Sequence, residues 1–133
     1  MAVAGWLWLA QLLAMSLCTS AAEGIPPGQW GGQHISLEIT KTGGRLEFDC
    51  AHGEFDGRLQ PDRQGRFSTE GIYIEEHGGP TRMDNQSAKI PVIYAGQING
   101  GKMKLTIKRK DTQKSLGSFT LKRGEEAFIV KCR

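Results

Sequence analysis

Three residues capable of chemistry lie within four positions of one another in the segment EFDCAHGEFDG. They are Asp49, Cys50 and His52, and together they could form a reactive thiol or part of a metal site. A catalytic cysteine needs a histidine base and a lowered thiol pKa, whereas His52 is established only as a neighbour in sequence. The pattern therefore raises the question of whether Cys50 is a reactive group or a structural one.

Metal binding and acid–base catalysis have weaker support in the sequence. Four side chains could supply ligands: Asp49, His52, Glu75 and His77. Their spacing matches no known metal motif. Adjacent residues such as Glu76 and His77 point to opposite faces of a strand, and no nucleophile elbow, phosphate loop or dinucleotide fingerprint is present. We therefore predict no metal, no cofactor and no catalytic residue, with an enzyme based on His52 and His77 as an alternative.

The first 24 residues, MAVAGWLWLAQLLAMSLCTSAAEG, form an apolar run with no charged side chain before Glu23. The run ends in small residues, as a secretory signal peptide does before its cleavage site. We predict a signal peptide over 1–22, cleavage after Ala22, and a mature domain over 23–133 located in the periplasm or outside the cell. Because the run begins without Lys or Arg, a retained membrane anchor stays an alternative, as does a lipoprotein anchored at Cys18.

Removal of residues 1–22 would leave two cysteines, Cys50 and Cys132. An even pair in an exported chain favours a disulfide, because the compartment is oxidising. A loop of this length predicts a stabilisation of roughly 4 kcal/mol on the chain-entropy model. The alternative is a reactive pair formed by Cys50 and His52.

The rest of the chain alternates apolar and polar residues with a period of two, which is typical of half-buried strands. In the segment HISLEIT, for example, Ile35, Leu37 and Ile39 share one face. Glycine, asparagine and aspartate turn signals separate such segments. The pattern predicts eight strands, near 29–40, 44–51, 53–60, 65–76, 91–98, 102–109, 115–122 and 127–132.

Eight short strands joined mainly by tight turns predict an all-β, antiparallel, up-and-down barrel, since closure removes exposed sheet edges. A two-sheet β-sandwich is the alternative. Eight-stranded barrels are either filled by side chains or hollow. The candidates to fill this one are Phe48, Phe55, Tyr94, Met103, Phe119 and Phe128.

Two resemblances to known families accompany this pattern. Gly28, Gln29 and Trp30 resemble the G-x-W that opens the first strand of lipocalin-like and avidin-like barrels, where the tryptophan closes one end. Four segments, WGGQHI, EFDCAHG, EHGGP and the C-terminal KC, resemble a family of small exported bacterial all-β proteins of uncharacterised function. The second resemblance implies the signal peptide, the β domain and the cysteine pair, and it implies no activity.

In an up-and-down arrangement, alternate strands end at the same rim, so the predicted strands bring Cys50 and Cys132 together. The same reasoning places Trp30, His52 and the long loop 76–89 at that rim. Long loops in small domains are often functional, although a merely solvated loop is the alternative. We therefore predict a ligand site at this rim, formed by Trp30, His52, His77, Arg82 and Asn85.

Charge is unevenly distributed along a chain whose formal net charge is +3. Residues 101–133 contain ten Lys or Arg against three Asp or Glu. Lys102, Lys104 and Lys108 share the outward face of one predicted strand and could attract an anionic component of the cell envelope. The alternative is that they only keep the barrel soluble. Nucleic acid is not an expected partner, because no aromatic residues alternate with these lysines.

The sequence thus favours an exported, non-enzymatic envelope protein that binds a small apolar or amphiphilic ligand in the barrel or at its rim. A periplasmic protein–protein module, such as an enzyme inhibitor, is the second reading. An enzyme using the histidines is the third. Oligomeric state is not predicted.

Overall fold

The computed structural model describes residues 24–76 and 88–132, which form an all-β domain. Its eight strands are β1 (Gly28–Gly32), β2 (Ile35–Ile39), β3 (Gly43–Phe48), β4 (Ala51–Asp56), β5 (Arg66–Glu75), β6 (Lys89–Asn99), β7 (Lys102–Arg109) and β8 (Ser115–Arg123). Each strand pairs antiparallel with the next, and β1 pairs with β8 to close the barrel. The predicted up-and-down barrel is confirmed. In these ranges there is no helix with the length and apolarity to cross a bilayer.

The count of eight strands is correct, but two of the predicted strands are wrong. The segment 29–40 is two strands, because the chain turns back at Gln33 and His34, where His34 adopts a φ of 66°. A left-handed histidine is uncommon and carries no glycine or asparagine signal, so the turn was missed. The segment 127–132 is not a barrel strand, and its only bridge pairs Phe128 with Gln33.

Side chains fill the barrel. The inward residues of the strands form one continuous core that includes Trp30, Leu37, Leu46, Tyr94 and Leu121. Aromatic rings also pack directly against inward-facing glycines. A methyl group on Gly53 would lie 2.0 Å from the Tyr94 hydroxyl oxygen, and one on Gly71 would lie 2.7 Å from the Tyr94 ring. The rings therefore occupy space that side chains would otherwise need.

The two ends of the barrel are built differently, and we name them separately. The odd-numbered strands β1, β3, β5 and β7 end at what we call the disulfide rim, which includes the turns 33–34 and 49–50 and the residue Glu76. The even-numbered strands end at the opposite opening, which we call the Trp30 mouth. That mouth is bordered by the segment 24–27, the loop 57–65 and the turn 100–101.

The last described residues, 124–132, form a C-terminal tail that connects the two ends along the outside of the barrel. The tail leaves β8 at the Trp30 mouth, where the Gly124 N–H donates to the Gln29 carbonyl over 2.8 Å. It then runs parallel to β1, with the Phe128 N–H donating to the Gly32 carbonyl over 3.0 Å. A methyl group on Gly31 would lie 2.2 Å from the Glu125 carbonyl oxygen, so a glycine there lets the tail lie directly on β1.

Candidate functional site

Cys50 and Cys132 form a disulfide at the disulfide rim, with their Cα atoms 5.2 Å apart. The prediction that both cysteines reach one rim is correct, but the predicted route is wrong. Cys50 lies in the β3–β4 turn, and Cys132 arrives through the tail instead of at the end of an eighth strand. The disulfide answers the question raised by the sequence, because Cys50 is a structural residue.

Asp49 binds the tail beside the disulfide. Its carboxylate accepts a hydrogen bond from the Val130 N–H over 2.9 Å, and its carbonyl accepts one from the Cys132 N–H over 3.2 Å. The second carboxylate oxygen lies 2.6 Å from Nδ1 of His34. Asp49, the first of the three chemically suggestive residues, is therefore occupied in holding the C-terminus.

His52 also takes part in the contacts at this rim. It lies on β4, not in a turn, and its Nδ1 is 2.9 Å from Oε1 of Glu76. Lys131 of the tail donates to Oε2 of Glu76 over 3.1 Å and to the Phe48 carbonyl over 3.2 Å. Partial desolvation acts to raise the pKa of Glu76, but the hydrogen bonds from Lys131 and His52 outweigh it and lower that pKa.

The predicted ligand site is therefore divided. His77, Arg82 and Asn85 lie outside the described residues. His52 is at the disulfide rim, but Trp30 is not beside it, so the prediction that one rim collects both residues is wrong. The error arose because splitting 29–40 into two strands reverses the direction of every later strand relative to Trp30.

Trp30 lies at the other end, where it lines a cavity of about 240 Å³ in the Trp30 mouth. The indole is 1% exposed and packs against the core. Apolar walls and a cation complete the cavity lining, which includes Ile25, Pro26, Pro61, Ile98 and Arg123. Arg123 was not among the predicted site residues.

Local sequence explains how the walls of this mouth are held. The Asp62 carboxylate accepts hydrogen bonds from the Gln64 and Arg66 N–H groups, both over 2.9 Å, and these bonds shape the loop before β5. Gly65 follows with a φ of 78°, and a methyl group there would lie 2.1 Å from the Ile98 carbonyl oxygen. Only glycine tolerates both the positive φ and the close approach of this carbonyl.

On the other side of the mouth, the Ile25 N–H donates to the Leu59 carbonyl over 3.0 Å, which fixes the segment 24–27.

Two polar groups at this mouth have no hydrogen-bond or ion-pair partner in the described ranges. The buried Nε1–H of Trp30 finds no acceptor there. Arg123 forms no ion pair with any described residue, and its guanidinium carbon lies 6.0 Å from the centre of the Trp30 ring. β1 and β8 bring the two together, because Trp30 and Arg123 are direct partners across that pair. Arg123 thus gives the mouth a positive charge beside an apolar wall, and Trp30, which also lines the mouth, has an unpaired indole N–H.

A second groove of about 320 Å³ lies on the outside of β2, β3 and β4. It is lined by charged residues of both signs, and the cross-strand register places Arg45 between Glu38 and Glu54. Thr40 caps its own turn by bonding to Gly43. Unlike the mouth, this groove contains no buried polar atom that lacks a partner among the described residues.

The lysines predicted to form a basic surface lie on the outer face of β7. Lys102 is directly opposite Lys122 of β8, and Lys104 is opposite Thr120. In the part of the chain that the structure describes, neither Lys102, Lys104 nor Lys108 has an acidic partner within ion-pair distance. The Lys102 end of this surface adjoins the turn at Gly100, which lines the Trp30 mouth.

Within residues 24–76 and 88–132, no three His, Cys, Asp or Glu side chains come together in a way that could hold a metal ion. The fold and the cavity define the chain as a small, filled, closed β-barrel with an accessible mouth at one end. No protein-family model, curated protein or solved structure matches the chain.

Proposed function

We propose that the protein is an exported, non-enzymatic binding module that holds a small amphiphilic ligand with an anionic head at the Trp30 mouth. The ligand class follows from the chemistry of the cavity lining. The head would meet Trp30 and Arg123, and a short apolar portion would lie against the prolines and isoleucines of the wall.

The unpaired indole N–H of Trp30 is the single observation that carries this proposal. A buried donor without an acceptor costs roughly 1–3 kcal/mol, and such groups are rare in native proteins. A ligand oxygen at the mouth would accept this hydrogen bond and remove the cost.

Arg123 favours a negative charge on that acceptor. Its guanidinium has no acidic partner among the described residues, and it lies beside the indole. A carboxylate or phosphate group can accept from both the guanidinium and the indole, and charge-assisted bonds of this kind are about twice as strong as neutral ones. Lys102 and Lys122, paired next to the mouth, raise the local positive potential further.

The size of the cavity favours a small ligand. Its volume of about 240 Å³ is below the range of roughly 300–1,000 Å³ that is typical of sites for drug-sized molecules. Aromatic rings fill the barrel behind it, with Phe55 and Tyr94 tilted against each other at 5.9 Å. The ligand would therefore occupy the mouth and would not enter the barrel.

Calorimetric titration with octanoate and with 1-octanol tests the proposal, because the two probes share a chain and differ in head group. We expect octanoate to bind and 1-octanol to bind at least about tenfold more weakly, as the loss of a charge-assisted contact predicts. Arg123→Gln should remove this difference. The matched control is Arg109→Gln, which removes an arginine that pairs with Asp111 at the opposite rim.

Equal binding of both probes by the original protein, or an unchanged preference for octanoate in Arg123→Gln, would refute the proposed site. If Arg123→Gln and Arg109→Gln both lost binding, the net charge of the protein would determine affinity, and the site at the Trp30 mouth would also be refuted.

A further inference from the structure

The tail re-creates a sheet edge on a barrel that otherwise has none. Barrel closure pairs all eight strands, which removes the exposed edges that lead β-proteins to associate. The residues after β8 then lie outside this closed sheet in an extended path. A single parallel bridge, between Phe128 and Gln33, joins them to it.

The hydrogen bonds of the tail show which side of it is available. The N–H groups of Phe128, Val130 and Cys132 all point towards the barrel, where they meet Gly32 and Asp49. Backbone groups of successive residues in an extended strand point in opposite directions. The N–H and C=O groups of Ile129, and of its neighbours two positions away, therefore point away from the barrel. None of these outward groups has a backbone partner among the described residues.

Two apolar side chains accompany this edge. Phe128 and Val130 are each 58% exposed, and they are the large hydrophobic residues that the described chain leaves in solvent. They are two positions apart, so they share one face of the tail. Phe128 was a candidate to fill the barrel, and that prediction is wrong.

The tail is also rigidly held. The disulfide at Cys132, the two bonds to Asp49 and the contacts of Lys131 with Glu76 fix its far half. Such an edge loses little conformational entropy when another strand pairs with it. An exposed apolar edge that is also preorganised is a site for strand addition.

We propose that the strand that adds to this edge is the same tail of a second copy of this chain, paired antiparallel about Ile129. Residues related by this two-fold arrangement would be Ile129 with Ile129, and Phe128 with Val130. Ile129 would then form a hydrogen-bonded pair, as its outward N–H and C=O require. The proposal is independent of any ligand at the Trp30 mouth.

The charges of the tail fit this self-pairing. Glu125 and Glu126 precede the apolar segment AFIV, and Lys131 follows it. In antiparallel pairing about Ile129, Lys131, which also binds Glu76 of its own copy, would lie opposite Ala127 and diagonal to Glu125 of the other copy. Opposite charges across strands are favourable. In parallel pairing, like charges would face each other. The contact is isologous, so it closes at two copies.

The contact area is small, because only one short strand from each copy takes part. Interfaces of this size are weak, so we expect a dissociation constant on the order of 100 µM. The dimer should therefore depend strongly on concentration.

Sedimentation velocity of the natively processed protein, from about 10 µM to about 1 mM, tests the proposal on the concentration scale of such weak complexes. We expect a monomer–dimer equilibrium that Val130→Lys shifts towards monomer by at least about tenfold in dissociation constant. In the proposed register, each introduced lysine would lie opposite Phe128 of the other copy and replace an apolar cross-strand contact with a charge. The matched control is Ser68→Lys, which adds the same charge on the exposed outer face of β5. Both positions are exposed, so neither substitution should prevent folding.

NMR spectroscopy tests the register of the strand pairing separately. In a mixture of isotope-labelled and unlabelled protein, the proposed pairing predicts intermolecular nuclear Overhauser effects between Phe128 of one copy and Val130 of the other. A protein that stays monomeric at the highest concentration would overturn the proposal. So would a dimer that Val130→Lys and Ser68→Lys affect equally, since that dimer would use another surface.

Discussion

The disulfide rim and the Trp30 mouth differ in how completely their polar groups are satisfied. At the disulfide rim, the Asp49 carboxylate has partners on both oxygens, the Glu76 carboxylate does too, and a covalent bond joins the turn to the tail. At the Trp30 mouth, a buried indole N–H and a guanidinium have no hydrogen-bond or ion-pair partner in the described ranges. The contacts of the first end stabilise the fold, and the unpaired groups of the second are the basis of the ligand site that we propose there.

This difference shows that chemically suggestive residue types do not by themselves mark a functional site. The aspartate and cysteine of the segment 47–57 bind the tail directly, and the histidine binds Glu76, which pairs with Lys131 of the tail. The residues that carry our functional proposal are a tryptophan and an arginine, Trp30 and Arg123. The comparison can be tested by disturbing each end and asking whether the other responds.

The largest expected effect comes from removing the disulfide. In Cys50→Ala/Cys132→Ala, the free energy of unfolding should fall by roughly 4–5 kcal/mol on the chain-entropy model, since the bridge closes a loop with a sequence separation of 82. Urea unfolding measures this change. Under conditions where the variant is folded, its affinity for octanoate should stay the same, because the mouth lies at the opposite end. A parallel loss of affinity would show that the two ends are coupled.

Trp30→Phe should mainly weaken ligand binding and have a smaller effect on stability, the reverse of the disulfide variant. It removes the N–H donor and should weaken octanoate binding by about 10- to 100-fold, the range expected for a hydrogen bond to a charged group. Its effect on unfolding should be smaller than that of the disulfide variant, because the deleted donor has no partner in the described chain. Calorimetry and urea unfolding on the same sample measure both quantities. Unchanged affinity would remove Trp30 from the site.

Acid should loosen the disulfide rim before it affects the mouth. The pKa of Glu76 is lowered in the folded protein from a reference value of 4.5. Its contribution to stability is therefore present above that reference value and is lost as the pH falls through the lower, folded-state pKa. Hydrogen exchange at the Cys132 amide, which donates to the Asp49 carbonyl, should rise over this window relative to its intrinsic rate. Glu76→Gln should flatten the pH dependence, and a profile identical to that of the original protein would contradict this assignment.

The smallest expected effect concerns the like-charged pair beside the mouth. Lys102 and Lys122 are direct cross-strand partners. Like charges in such positions lower the free energy of unfolding by roughly 0.2–1 kcal/mol. Lys102→Thr should raise the free energy of unfolding slightly, more so at low salt, and should weaken octanoate binding less than Arg123→Gln does. Lys114→Thr in the β7–β8 turn is the control for net charge. Equal effects of the two variants would mean that the pair has no special role.

Much of the fold was predictable from the sequence because period-two alternation directly reflects which side chains are buried. β7 was predicted with its observed bounds, 102–109, since Met103, Leu105 and Ile107 alternate with lysines. The cysteine pair was predictable from its number and its expected compartment. The turn at His34 was not, because the two glycines just before it, Gly31 and Gly32, belong to β1, and the residue that adopts the left-handed conformation is a histidine.

The candidate site was less predictable, since it depends on contacts between the two ends of the chain. Trp30 was chosen, but its partner Arg123 was missed, although Phe119, Leu121 and Arg123 share one face of β8 by alternation. Closure of the barrel was itself predicted, so pairing β8 with β1 could have indicated the contact. The unpaired state of the indole could not have been found this way, because it depends on atomic positions at the mouth.

The indole ¹H–¹⁵N NMR signal of Trp30 tests the central claim most directly, since it reports on the one group that carries the proposal. The signal can be assigned by its disappearance in Trp30→Phe. As octanoate is added, we predict that it moves downfield and that its exchange with water slows, whereas 1-octanol at the same concentration has little effect. A signal that is unchanged by octanoate, or that responds equally to both probes, would contradict the account.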